Sequence, residues 1–228
     1  MSEKQDNNDT SALTTREDDS ITKKDVVKTG VLVSATGIGM FMSALDESII
    51  NVSIVSMAEY FETDQTHVQW IVLVYLLVIV GLSALAGYLG DRYSIKLVFQ
   101  IGMIIFSIGS LICALSISLP MLIVARIVQG IGAAGILANG NALITKFTNE
   151  EQRGLAIGLT ALIAAMGVVV GPVIGALLTQ YTTWQYIFWI NVPIGFIGII
   201  YLQFALPGTP SVNKENHRGD ALGSIIFA

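Results

Sequence analysis

Charge is what this sequence has least of. Asp, Glu, Lys and Arg make up 13% of its 228 residues, against about 25% in soluble domains. Hydrophobic residues make up 53%, and the mean hydropathy is +0.69. That composition excludes a water-soluble globular domain. Cysteine is nearly absent as well. Cys113 stands alone in an apolar run, which excludes a disulfide framework. His67 and His217 are far apart and no zinc or haem spacing occurs, so no metal or cofactor site is expected. Polar clusters with nucleophile spacing are missing too, which argues against an enzyme. No nucleic-acid partner is expected. The formal net charge of -5 carries little meaning, because its sign changes from segment to segment.

What the sequence has is long apolar runs. A spanning helix needs roughly 20 such residues, and six runs qualify, at about 31–57, 68–90, 97–117, 119–145, 154–180 and 184–206. This predicts an all-α integral membrane protein, with a six-helix bundle over 30–206. Residues 1–29 are rich in Asn, Asp, Thr and Ser and are expected to be a disordered cytoplasmic tail. No short apolar run with a small-residue cleavage site follows them, so the first run is read as a retained helix. Residues 207–220 are expected to be a cytoplasmic loop. A seventh run starts at Ala221 and stops at Ala228. A helix cannot end there inside lipid, so an N-terminal part of a longer protein is expected, with a truncated product as the alternative.

Orientation follows from the basic residues. Of the 12, Arg126 sits inside a run, and the other eleven fall in the tail and in the connections after the second, fourth and sixth runs. Those connections are therefore expected in the cytoplasm. The first of the opposite loops carries Glu59, Glu62 and Asp64 instead. Trp70, Tyr181 and Trp184 fall near the expected outer interface.

Two charges stand out within the spans. Arg126 lies in the fourth and Asp46 in the first. At 1.5 Å per residue, both come roughly 10–17 Å below the outer surface. Opposite charges at matching depth are expected to pair. Either Asp46 titrates beside Arg126 as a proton relay, or the two form a permanent pair that only holds helices together; intramembrane charges favour function. Glu47 lies about 100° round the helix from Asp46 and is a candidate for a wet edge. Asn51, one turn on, is a candidate cavity or helix-contact residue. Gln129 and Gly130 share the Arg126 face, and Gln129 is a candidate to orient the guanidinium or touch a substrate.

The fifth run carries Gly167, Gly171 and Gly175 at every fourth position, a groove for a neighbouring backbone. Pro172 favours a kink there. In the sixth run, Asn191 precedes Pro193 by two residues and is expected to satisfy a carbonyl freed by the proline, with substrate contact as the alternative. Gly87 to Lys96 reads as a short cytoplasmic turn, with Asp91, Arg92 and Lys96 as a topology anchor or a charge latch on the inner face.

Together these stretches resemble the major facilitator superfamily, and more narrowly its fourteen-helix drug:proton antiporter branch. Gly87, Leu89, Asp91 and Arg92 match the family's signature loop, with Ser94 in place of a common glycine. Arg126, Gln129 and Gly130 match its Arg-x-x-Gln-Gly pattern, whose arginine the resemblance associates with proton coupling. Gly167, Gly171, Pro172 and Gly175 match the antiporter motif, which ends here in Ala176. Residues 45–51 resemble Leu-Asp-x-Thr-Ile-Val-Asn, departing at Ser48 and Ile50, and residues 184–195 resemble Trp-x-x-x-Phe-x-x-Asn-x-Pro-x-Gly. The resemblance implies alternating access between two six-helix halves, of which this chain would hold the first. It also implies proton-coupled export of amphipathic or cationic drugs, and a role in antibiotic resistance; the acid-rich tail and the plain topology fit a bacterial plasma membrane. Its partners would be protons, a small-molecule substrate, the bilayer and the missing C-terminal half. Export of an endogenous metabolite or lipid, or an inactive fragment, are the alternatives.

Overall fold

The computed structural model describes residues 3–205, and among them every regular element is helical. The expected loop at 207–220 and the seventh run at 221–228 lie outside the described residues. The elements are α1 (Glu3–Tyr60), α2 (Gln65–Val68), α3 (Trp70–Arg92), α4 (Ile95–Ala114), α5 (Leu119–Phe147), α6 (Glu150–Tyr181), α7 (Tyr186–Trp189) and α8 (Asn191–Ala205). They form six membrane-length spans, with α2 and α3 making one and α7 and α8 making another.

The helix ends explain themselves locally. Glu62 takes a left-handed φ of 49°. The Glu62 and Thr63 amides bond back to the Glu59 and Ala58 carbonyls, a C-terminal lock that stops α1 and turns the chain. Ser94 and Ser118 cap α4 and α5 by accepting from the Leu97 and Met121 amides, each at 3.4 Å.

Two elements differ from the sequence expectation. Residues 3–29, whose polar composition argues for a disordered tail, continue α1 back to Glu3. Neither glycine nor proline occurs among them, so nothing local ends the helix. The stretch from Gly87 to Lys96 is mostly helix rather than loop. α3 runs on through Arg92, only Tyr93 and Ser94 lie between helices, and Lys96 is buried in the first turn of α4. α6 continues through Pro172 as a single helix.

Packing centres on α1 and α5. α6 lies along α1, α3 and α4 flank α5, and α8 fits between α1 and α4. One apolar cluster at one end of the bundle gathers Ile49, Met57, Ile71, Leu122, Trp184 and Phe188. A second gathers Met42, Phe99, Met103, Phe106 and Ile136. The polar site lies where these two clusters meet.

Candidate functional site

α1 carries Asp46 on the side that meets α5, and both Asp46 and Arg126 are wholly buried. Arg126 Nη1 donates to Asp46 Oδ2 at 2.6 Å. The matched depths read from the sequence thus become a direct ion pair. Two further donors meet the other carboxylate oxygen. Gln129 Nε2 reaches Asp46 Oδ1 at 2.8 Å, and Asn191 Nδ2 reaches it at 2.7 Å. Two spans, α5 and α8, therefore converge on one carboxylate of α1. A carboxylate only accepts hydrogen bonds, and all three of these partners are N–H donors.

The guanidinium has other partners besides Asp46. Its Nη1 also donates to Gln129 Oε1 at 2.6 Å, and its Nε donates to the Ile71 carbonyl at 3.0 Å. Its carbon lies 3.8 Å from the centre of the Tyr75 ring, close enough for a strong cation–π contact. Tyr75 is itself held by Ser43, with 3.1 Å between the hydroxyls. Gln129 is occupied at both ends. It donates to Ser110 Oγ at 2.8 Å, and Cys113 Sγ approaches its Oε1 at 3.7 Å.

Sequence reading named Asp46, Arg126 and Gln129 for this site, and the structure brings them together. It did not name Tyr75, Ser110 or Cys113. Tyr75 had one signal, a polar tip inside the apolar run that follows Trp70. Ser110 and Cys113 had none. In the sequence, Asn191 reads as a partner for the carbonyl freed by Pro193. Its amide nitrogen lies on Asp46 instead, because α8 crosses α1 at that level and a buried carboxylate is the stronger acceptor.

Glu47 and Asn51 do not join this cluster. Both are exposed, one turn apart on the same face of α1, and Asn51 Nδ2 donates to the Glu47 carbonyl at 3.3 Å. At the other end of α3, Asp91 and Arg92 are exposed, and Arg92 Nη1 donates to Tyr88 Oη at 2.8 Å. Gly87 has open space where a side chain would stand. The end of α3 is held by Asn139 of α5, whose Nδ2 donates to the Ala86 carbonyl at 3.1 Å, beside Gly90.

Gly167, Gly171 and Gly175 of α6 face α1. A Cβ at Gly167 would stand 2.7 Å from the Phe41 carbonyl oxygen, and one at Gly175 would stand 2.9 Å from the Ile49 carbonyl oxygen. Gly171 lies against Ser48, whose hydroxyl donates to the Gly167 carbonyl at 3.1 Å. Pro172 points away from this seam and is exposed.

Comparison with known proteins agrees with this architecture. Residues 36–227 match the family model described as Major Facilitator Superfamily. Over 191 residues the chain is 35% identical to the riboflavin transporter RibZ of Clostridioides difficile (strain 630), covering 84% of this chain and 42% of RibZ. It is 33% identical over 190 residues to the putative multidrug resistance protein MdtD of Shigella flexneri serotype 5b (strain 8401), covering 83% of this chain and 40% of that protein. The chain thus spans about two fifths of the length of these curated relatives. Among solved structures, the proton:xylose symporter XylE, bound to 6-bromo-6-deoxy-D-glucose, superposes with a TM-score of 0.71 at 15% identity. That match covers 82% of this chain and 46% of XylE, and it speaks for the fold. The family is one of transporters rather than enzymes. On its six spans, its motifs and its match over residues 36–227, this multi-pass membrane chain belongs to the major facilitator superfamily.

Proposed function

We propose that this chain forms the N-terminal half of a proton-coupled exporter of amphipathic or cationic compounds, working by alternating access with a second six-helix half. The carrying observation is Asp46, a wholly buried carboxylate inside a membrane span that faces three hydrogen-bond donors. A group of that kind is costly in the membrane and is kept where it works. In this reading Asp46 takes a proton when the half opens outward and releases it when it opens inward. Protonation removes the negative charge but does not strand Arg126. Gln129 Oε1, the Ile71 carbonyl and the Tyr75 ring remain as its partners. These neutral partners lower the cost of leaving the guanidinium buried without its counter-ion, although its Nη2 has no partner among the described residues.

The other proposed parts have separate duties. The glycine seam of Gly167, Gly171 and Gly175 lets α6 move on α1 during the switch. Asp91, Arg92 and Lys96, with Gly87, form the latch of the cytoplasmic side. Glu47 and Asn51 present a polar face to the transport cavity. The N-terminus is cytoplasmic and the membrane is a bacterial plasma membrane, in keeping with the bacterial relatives.

A second reading has an observation in its favour. The 35% identical relative is a riboflavin transporter, so the cargo can equally be an endogenous metabolite. Both readings are tested with the complete transporter in proteoliposomes, using a pH gradient and a panel of ethidium, a quaternary ammonium and a flavin. Gradient-driven movement of the cations alone supports drug export, and movement of the flavin alone supports the metabolite. Transport that ignores the pH gradient for every substrate overturns proton coupling.

A further inference from the structure

The donors around Asp46 differ in one respect. The acceptor atom of Asn191 is idle. Its Nδ2 donates to Asp46 Oδ1 at 2.7 Å, while its Oδ1 is buried and has no hydrogen-bond partner among the described residues. Arg126 has no acceptor to offer at all. Gln129 has one, but that atom already receives Arg126 Nη1, and the amide nitrogen on the other side also holds Ser110. Turning Gln129 over would break both contacts. Ser110 is likewise committed, donating to the Phe106 carbonyl at 2.9 Å while accepting from Gln129.

We propose that Asn191 is a positioning residue that serves Asp46 in both of its charge states. Its amide nitrogen holds the carboxylate. When a proton arrives from water and forms an O–H on Asp46 Oδ1, the amide turns over and its Oδ1 accepts that hydrogen. No other covalent bond forms or breaks, and the proton leaves again to water when the amide returns. This rests on the reading of Asp46 as the titrating group.

Geometry favours Asn191 for this role. It opens α8 directly after the break at Ile190 and two residues before Pro193. The turn requires rotation of one terminal amide, a broad and soft torsion. Because α8 packs on both α1 and α4, the amide links the charge on α1 to the position of the sixth span. The titratable groups around Asp46 are Arg126 from α5, Tyr75 from α3, Cys113 from α4 and Glu47 on α1 itself. α6 brings glycines to this level, and α8 brings the uncharged Asn191.

The test is infrared difference spectroscopy of the complete transporter across pH. Two bands are followed: the carboxylic-acid carbonyl that is missing in Asp46→Asn, and the side-chain amide carbonyl of carbon-13-labelled asparagine that is missing in Asn191→Leu. Should Asn191→Leu not fold, Asn191→Ser serves to assign the band. The expected result is that the Asn191 carbonyl shifts to lower frequency on acidification, with the same midpoint as the growth of the Asp46 acid band. An Asp46 band that titrates beside an unmoving Asn191 band overturns the role of Asn191 and leaves the proposed function standing. If no Asp46 acid band appears at any pH that the protein survives, both fall.

Discussion

α1 makes two contacts over the same few turns, and they work in opposite ways. Toward α6 it meets Gly167, Gly171 and Gly175, where shape does nearly all the work and one hydroxyl, Ser48, bonds across. Toward α5 and α8 it meets Arg126, Gln129 and Asn191 through directed, charge-assisted hydrogen bonds. A small-residue seam holds backbones close but sets little register. A buried ion network sets register firmly, and its strength depends on one charge. Placing the two back to back gives α1 a smooth small-residue bearing on one side and a charge-assisted clasp on the other.

Breaking the clasp should cost most. Arg126→Ala leaves Asp46 as a buried anion with only amide donors, and about 3–5 kcal/mol of stability should be lost. Thermal unfolding of the purified protein in detergent reads this directly. Combining it with Asp46→Asn should recover part of the loss, because no uncompensated charge then remains; a double variant as unstable as the sum of the singles would speak against the pair.

Damaging the bearing should cost less and fail differently. A Cβ at Gly171 meets Ser48 and comes within 3.1 Å of the Ile49 amide nitrogen. Gly171→Ala should therefore destabilise by about 1–3 kcal/mol through overpacking. Turnover should fall while substrate binding to the detergent-solubilised complete protein is kept. If binding and turnover fall together, the seam is only a structural contact.

The smallest effect is expected beside the clasp. Glu47 is exposed, so Glu47→Gln should change stability by no more than about 0.5 kcal/mol. Export of cationic substrates should weaken relative to neutral ones, read as a ratio of initial rates in the complete transporter. An unchanged ratio would remove Glu47 from the cavity.

The difference between the two contacts also explains what the sequence made legible. The spans were readable because the bilayer demands a fixed apolar length and segregates the basic residues. The bearing was readable because glycine at every fourth position has one geometric consequence on a helix. Asp46 and Arg126 were readable as a pair because rise per residue converts sequence position into depth. Lateral arrangement has no such ruler. Nothing in the sequence says that α8 crosses α1 at Asp46, so Asn191 was matched to the proline beside it rather than to the acid across the interface. Tyr75 and Ser110 were hidden for the same reason. The connection after the second span reads as a turn from its glycines and charges, whereas α3 keeps its helix through Arg92 and Ser94 caps the next one.

In the proposed mechanism, the charge of Asp46 changes during transport. Proton movement coupled to substrate movement tests it most directly, in proteoliposomes of the complete transporter with a pH-sensitive dye trapped inside and a substrate gradient as the only driving force. Proton flow opposite to the substrate is expected in the unmodified protein and none in Asp46→Asn, with both proteins folded and binding substrate. Equal proton flow in the two would contradict it.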